Sequence, residues 1–73
     1  MKNRLREARE HYNKRHPNYP LTQAELARRA GVARETVVQL EKGATVPKVD
    51  LAIRLKRILN VRSVEVLFIE PRE

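Results

Sequence analysis

The sequence predicts an all-α domain of four to five helices. Apolar residues recur at helical spacing in four segments, and a glycine or asparagine that can end a helix follows the second, third and fourth of them. Glycine and proline occur only outside the predicted helix interiors. With 73 residues the chain is expected to form one small domain. A domain of this size buries limited apolar surface, so a second copy could usefully add to its core.

The first helix is predicted from an amphipathic pattern. The segment NKRHPNYP should end this helix, because proline disfavours helix and also restricts the residue before it. Residues 14–20 are therefore predicted to form a loop. The apolar positions of the helix, which alternate with charged ones, are Met1, Leu5, Ala8 and Tyr12.

The second helix has the clearest boundaries. Thr22 is a good N-cap, and Glu25 three residues later completes a capping-box pattern. Leu21 and Leu26 flank the cap and can form a hydrophobic staple. Gly31 is predicted to end the helix in the left-handed conformation that glycine adopts without strain.

Two further helices are predicted downstream. Ala33, Val37 and Leu40 follow helical spacing, and Gly43 should end this third helix. Asn60 is expected to end the fourth helix in the left-handed conformation. The apolar positions of the fourth helix are Val49, Leu51, Ala52, Ile53, Leu55, Ile58 and Leu59.

The segment VEVLF, residues 64–68, fits two structures. Ser63 could cap a short helical turn, whereas the alternation of apolar residues and the β-branched valines also fit a short strand. Because the fourth helix has more apolar positions than one face needs and the tail at residues 61–73 adds others, the end of this helix and the tail are expected to form a dimer around a twofold axis. The alternative is a monomer whose tail covers its own core. The predicted interface residues are Ile58, Val64, Val66, Phe68 and Ile69.

The charge is the first indication of function. Sixteen Lys and Arg against nine Asp and Glu give a net charge of +7. Residues 1–47 contain ten basic and five acidic side chains, so most of the excess lies in the part that includes the second and third helices. An excess of basic residues is typical of proteins that bind nucleic acid. A moderate excess is also found in proteins whose charge serves only to keep them soluble.

The joint between the second and third helices predicts a steep crossing. Ala27 is small enough to allow a close approach, and Gly31 makes the corner. Val37 and Leu40 should seat the third helix on the core, which leaves residues 33–35 projecting outward. A helix held away from the body in this way can enter the major groove of DNA.

These segments resemble the helix-turn-helix of the phage-repressor, Cro and XRE family of DNA-binding proteins. The resemblance rests on TQAELARRAGV, ETVVQLEKG, the following proline and LAIRLKRILNV, and covers about residues 21–67. It implies a lambda-repressor-like fold for residues 1–73, with the helix-turn-helix core at residues 22–43. The positions that carry it are Gln23, Leu26, Ala27, Gly31, Val32, Val37, Leu40, Glu41 and Gly43.

The resemblance also implies residue roles. Arg9 and Glu41 should form an ion pair inside the domain. Arg15 is a further candidate for a phosphate contact, because it lies close to the start of the second helix. The resemblance implies contacts to base edges from Arg34, Glu35 and Gln39. Val38 departs from the family's usual small or polar residue, and it is expected either to contact a thymine methyl group or to lie at the rim without a contact. Contacts to DNA phosphates are expected from Thr22, Gln23, Thr36 and Lys42.

The functional prediction is a dimeric, sequence-specific regulator of transcription that binds a double-stranded DNA operator. The sequence leaves repression and autoregulation as the expected modes, and cytoplasmic, nucleoid-associated localisation follows from them. The alternative is an antitoxin or adaptor whose main partner is another protein. A steep fall of DNA binding with salt would separate the two.

Other function classes find little support. No nucleophile with a histidine partner, glycine-rich phosphate loop or carboxylate pair suggests an enzyme. No cofactor or metal is expected, because His11 and His16 are too few for a metal site without cysteine. No apolar run approaches the roughly 18–20 residues that span a bilayer, and no signal peptide is evident.

Overall fold

The computed structural model describes residues 3–68, which contain five α-helices. No strand occurs within this range, so the all-α prediction is confirmed. The helices are α1 (Leu5–Arg15), α2 (Gln23–Ala30), α3 (Arg34–Lys42), α4 (Val49–Leu59) and α5 (Val64–Phe68).

The predicted stop residues end their helices in the left-handed conformation. The φ angles are 74° at Gly31, 76° at Gly43 and 55° at Asn60. At the first of these, the Gly31 amide donates to the carbonyl of Arg28 (3.2 Å), and the amide of Val32 donates to that of Ala27 (3.0 Å). These bonds satisfy carbonyl groups that the end of α2 would otherwise leave unpaired.

Replacing Gly31 with alanine should destabilise the domain by about 1–2 kcal/mol, because a side chain with a Cβ disfavours left-handed backbone. Space is not the cause: a Cβ at this position would meet only Nη1 of Arg54, at 3.8 Å. Thermal unfolding measures the effect. Gly31→Asn is the control and should lose less, since asparagine tolerates this conformation. A larger loss for asparagine than for alanine would contradict the explanation.

The core is formed by one face of each helix. Both residues of the predicted staple, Leu21 and Leu26, are fully buried. α2 packs against α3 and α4, while α1 and α5 contact each other and α4. The buried apolar residues are Leu5, Leu21, Leu26, Ala27, Ala30, Val37, Leu40, Ala52, Leu55, Leu59, Leu67 and Phe68.

The segment for which the sequence allowed both helix and strand is helical. Residues 64–68 form α5, so the strand alternative is wrong for them. Val64, Leu67 and Phe68 share one face at helical spacing and pack on the core. Phe68, predicted at a dimer interface, is 6% exposed and packs on the core of its own chain; its contact with a second copy stays a prediction.

The apolar pattern of α4 overestimates how much of this helix is buried. Its buried residues are Ala52, Leu55 and Leu59. Val49, expected on the same face, is 76% exposed, and Ile53 is exposed as well. Helical spacing places residues on a face, but it does not show how far along the helix the neighbouring helices extend.

The predicted loop at residues 14–20 is shorter in the structure. α1 continues through Lys14 and Arg15, whose positive charges suit the carboxyl end of a helix. Asn13 fixes the end of the connection: its Oδ1 accepts from the amide of Leu21 (2.6 Å), and its Nδ2 donates to the carbonyl of the same residue (3.2 Å). The connection between α1 and α2 is therefore anchored next to the start of α2.

Candidate nucleic-acid interface

The outer face of α3 is presented by the α2–α3 corner. Val37 and Leu40 are buried and hold the helix on the core. Arg34 and Glu35, in its first turn, are exposed, while Val38 and Gln39 are half-buried. The four residues predicted to contact bases thus all lie on α3 outside the core, and its amino-terminal turn is the most accessible part.

The side chain of Arg34 has no partner among the residues that the structure describes. Among residues 3–68, no side chain forms an ion pair or hydrogen bond with its guanidinium. An exposed guanidinium of this kind keeps its donors available for two acceptors on one ligand, such as the O6 and N7 of a guanine.

Glu35 and Gln39 contact each other. Nε2 of Gln39 donates to Oε1 of Glu35 at 2.7 Å, one helical turn apart. Both side chains belong to the predicted base-contacting set. The sequence placed them on one face but did not predict this hydrogen bond.

A polar network joins α1, α2 and α3. Nε of Arg9 lies 2.7 Å from Oε2 of Glu41, with the side chains 14% and 4% exposed, respectively. Gln23 completes the network, since its Nε2 donates to Oε1 of Glu41 at 2.9 Å. Arg9 also donates to the carbonyl of Leu21 (3.2 Å), which ties the end of the α1–α2 connection to the same pair.

A cleft of about 450 Å³ opens beside this network. It brings Gln23 and Lys42, predicted to contact phosphate, next to Val38, predicted to contact a base. Its rim is mainly basic and could accept an anionic group. The lining residues are Arg6, Arg9, Gln23, Val38, Glu41 and Lys42.

Comparison with known proteins matches this arrangement. A family model described as helix-turn-helix covers residues 21–66, more than half of the chain and including both helices of the corner. The chain belongs to the Cro/C1-type helix-turn-helix family.

Relatives of this helix-turn-helix protein occur in archaea. One from Archaeoglobus fulgidus is 45% identical over 69 residues, covering 94% of this chain and 87% of the relative. One from Methanothermobacter thermautotrophicus is 49% identical and covers 67% and 71%, and one from Methanocaldococcus jannaschii is 33% identical over the full length of both. All three are named uncharacterized HTH-type transcriptional regulators. No solved structure shows a significant match.

The start of α2 in the helix-turn-helix protein has free hydrogen-bonding capacity. Oγ1 of Thr22 accepts from the amide of Glu25 (3.1 Å), as the N-cap prediction required, and its hydroxyl proton remains available to donate. The amides of Gln23 and Ala24 lie in the first turn, where no carbonyl within the helix reaches them. Amides in this position suit a phosphate group.

The remaining candidates for phosphate contacts are more dispersed. Lys42 and Arg15 are exposed at the carboxyl ends of α3 and α1, and Thr36 is half-buried on α3. Lys42 lines the cleft with Gln23, whereas Arg15 does not. Their contacts with phosphate stay predictions.

Glu25 uses its carboxylate within α2. Hydrogen bonds from Arg28 and then Arg29 lower the pKa of Glu25 to about 2 and raise the pKa of both arginines. The carboxylate therefore stays ionised near neutral pH and offsets part of the positive charge of these two residues. The capping-box pattern predicts that the carboxylate of Glu25 accepts from the backbone amide of Thr22, but its oxygens accept from the two arginines.

The five predicted dimer-interface residues have different surroundings. Ile58 and Val64 are half-buried and pack partly on the core, and Phe68 is buried as described above. The side chain of Val66 and all of Ile69 lie outside the described part of the chain. The exposed apolar residues of residues 3–68 instead include Val46, Val49 and Ile53.

Three supporting side chains were not identified from the sequence. Nδ2 of Asn3 donates to the carbonyl of Leu40 (2.6 Å), and its Oδ1 accepts from the amide of Leu5 (3.0 Å), so Asn3 joins the start of α1 to α3. Nη1 of Arg54 donates to the carbonyl of Ala30 at 3.2 Å. Asn13 bonds to the residue before the N-cap of α2 and Arg54 to the last residue of α2, and no local pattern marks either side chain.

Membrane-spanning helices and metal-binding clusters are both absent from the described residues. Within residues 3–68, no helix is long and apolar enough to cross a bilayer. The same range contains no group of three or more histidine, aspartate or glutamate side chains placed to hold a metal ion.

Proposed function

We propose that this protein is a dimeric, sequence-specific regulator of transcription, acting as a repressor or autoregulator on double-stranded DNA. In this proposal α3 inserts into the major groove, which is wide enough to admit a helix. The observation that carries the proposal is the exposed outer face of α3, which is held by the corner at Gly31 and bears Arg34, whose side chain has no hydrogen-bond or ion-pair partner among residues 3–68. The relatives named as HTH-type transcriptional regulators support it.

The residues of α3 have distinct roles in the proposed complex. Arg34 binds the O6 and N7 of a guanine, and Gln39 binds adenine. Glu35 accepts from the N4 amine of a cytosine, and Val38 contacts a thymine methyl group. These contacts give sequence preference, because each base pair presents a different set of donors and acceptors in the major groove.

Phosphate contacts set the position of α3. The start of α2, with Thr22 and Gln23, binds one phosphate through its free amides and side chains. Lys42, Thr36 and Arg15 bind neighbouring phosphates. The net charge of +7 favours association with DNA of any sequence, so these contacts supply affinity without preference.

A dimer would place two copies of α3 in successive major grooves. For a twofold complex the spacing is about 34 Å, one turn of DNA. The proposed interface lies at the end of α4 and the tail at residues 61–73, where Ile58 and Val64 keep part of their apolar surface accessible. Val66, Phe68 and Ile69 complete the proposed set of interface residues.

Selection of bound sites from random duplexes tests the proposed function. The expected result is a pair of related half-sites about one turn of DNA apart, bound with an affinity that falls steeply as salt rises. A single selected half-site would contradict the dimer, and duplexes bound without preference would contradict sequence-specific regulation. A protein that binds no duplex at low salt would favour the adaptor alternative, for which the exposed Val46, Val49 and Ile53 offer contact surface.

A further inference from the structure

The hydrogen bond between Glu35 and Gln39 fixes the orientation of an amide on the proposed DNA-contacting face. Gln39 donates through Nε2 to Oε1 of Glu35 at 2.7 Å. An ionised carboxylate accepts hydrogen bonds but donates none. The opposite orientation of the amide would turn its oxygen towards the carboxylate and replace the hydrogen bond with repulsion.

The fixed amide retains the groups that adenine requires. The amide nitrogen of Gln39 has two protons, and one of them forms the hydrogen bond to Glu35. The second proton and the amide oxygen stay available, and adenine is bound by one donor to its N7 and one acceptor from its N6 amine. Glu35 therefore restricts Gln39 without using up the groups that would contact the base.

We infer that Glu35 is a positioning residue for Gln39, and that the two side chains determine preference for one adenine as a unit. This inference rests on the proposed function, since it assumes that α3 enters the major groove. The favourable energy comes from orientation before binding, because a side chain that is already ordered loses less conformational freedom in the complex. Glu35 can keep its second oxygen for a neighbouring base while it holds Gln39.

A purely structural explanation of Glu35 exists. It lies in the first turn of α3, where an acidic residue interacts favourably with the helix dipole. In that case its removal would lower stability slightly but leave base preference unchanged. Stability and base preference therefore separate the two explanations.

The experiment measures dissociation constants of wild type, Glu35→Ala, Gln39→Ala and the double variant for the duplex that the wild type selects and for its single-base variants. Gln39→Ala should reduce discrimination at one base position of each half-site by roughly 5- to 150-fold. Glu35→Ala should reduce discrimination at the same position, and the double variant should lose little more there than Gln39→Ala alone.

Glu35→Ala should raise the affinity for DNA of mixed sequence although it lowers base preference. It removes a negative charge from a surface that faces phosphates, so binding to mixed-sequence DNA should become tighter while base preference falls. Glu7→Ala is the matched control, because it removes an exposed carboxylate of α1 away from α3 and makes the same change in net charge. This control should leave discrimination at the Gln39 position unchanged.

Glu35→Gln provides a conservative test of the same step. Its carbonyl oxygen can still accept from Nε2 of Gln39, so it should retain more of the adenine preference than Glu35→Ala does. The inference is overturned if Glu35→Ala keeps full preference at that position, or if the two single losses there add in the double variant. A wild type that binds every duplex alike would overturn the proposed function and this inference with it, whereas a selective wild type with additive losses would overturn the inference alone.

Discussion

Glu41→Ala should lower the free energy of unfolding by about 3–5 kcal/mol, the loss expected when one partner of a buried ion pair is removed. Arg9 is 14% exposed and Glu41 4% exposed, so the variant would leave the guanidinium of Arg9 largely buried without its carboxylate. Gln23 would lose its acceptor at the same time. One substitution would thus disturb α1, α2 and α3 together.

The consequence for folding should be large. A domain of this length has a total stability of roughly 4–11 kcal/mol. The melting temperature should fall by about 12 °C or more, which thermal unfolding followed by circular dichroism would measure. The double variant Arg9→Met, Glu41→Met should recover much of the loss, because it removes both buried charges at once.

The control is an ion pair on the surface. Arg6 and Glu10 lie 3.8 Å apart with side chains 70% and 56% exposed. Glu10→Ala should change stability by no more than about 1 kcal/mol, because water and salt screen exposed charges. Similar losses for Glu41→Ala and Glu10→Ala would show that the Arg9–Glu41 pair does not stabilise the core.

Arg34→Ala should weaken binding to the selected duplex by roughly 1–3 kcal/mol and relax preference at one base position per half-site. Two hydrogen bonds from one guanidinium distinguish guanine from the other bases, and no side chain of residues 3–68 competes for Arg34. Dissociation constants for the selected duplex and its single-base variants would measure both effects.

Lys42→Ala is the comparison for this experiment. It removes one exposed positive charge, as Arg34→Ala does, but from a residue expected to bind phosphate. It should weaken all duplexes alike and reduce the slope of the salt dependence by about one. Arg34→Lys distinguishes the contribution of the paired donors from that of the charge, because lysine keeps the positive charge but lacks the two donors that reach one guanine. Equal weakening of all duplexes by Arg34→Ala would show that Arg34 supplies charge alone.

The sequence predicted those parts of the fold that depend on neighbouring residues. Helix boundaries at Thr22, Gly31 and Asn60 follow from capping and backbone preferences, which operate over a few residues. The exposure of Val49 was not predictable in this way, because it depends on where the packing between helices begins. The helical form of residues 64–68 likewise depends on contacts with α1 and α4, since five residues carry too little local preference to decide.

The candidate interface was likewise predictable from the sequence only where neighbouring residues determine it. The face of α3 that bears Arg34 and Gln39 follows from helical spacing and from the family resemblance. The bonds of Gln23 to Glu41 and of Asn13 to Leu21 depend on distances between elements that sequence spacing does not give. The bond from Gln39 to Glu35 lies within one helix, but helical spacing shows only that the two side chains are near enough to meet, not which atoms bond.

Residues from the two ends of the described chain meet at the start of α1. The amide of Arg4 donates to the carbonyl of Leu67 at 2.8 Å, and Leu67 and Phe68 are part of the core. During synthesis, α1 leaves the ribosome first but cannot complete these contacts until α5 has followed. At about 5–20 residues per second, a chain of this length takes roughly 4–15 s to make. The native fold should therefore form only once the residues up to Phe68 have left the ribosome, and the nascent chain exposes apolar surface until then.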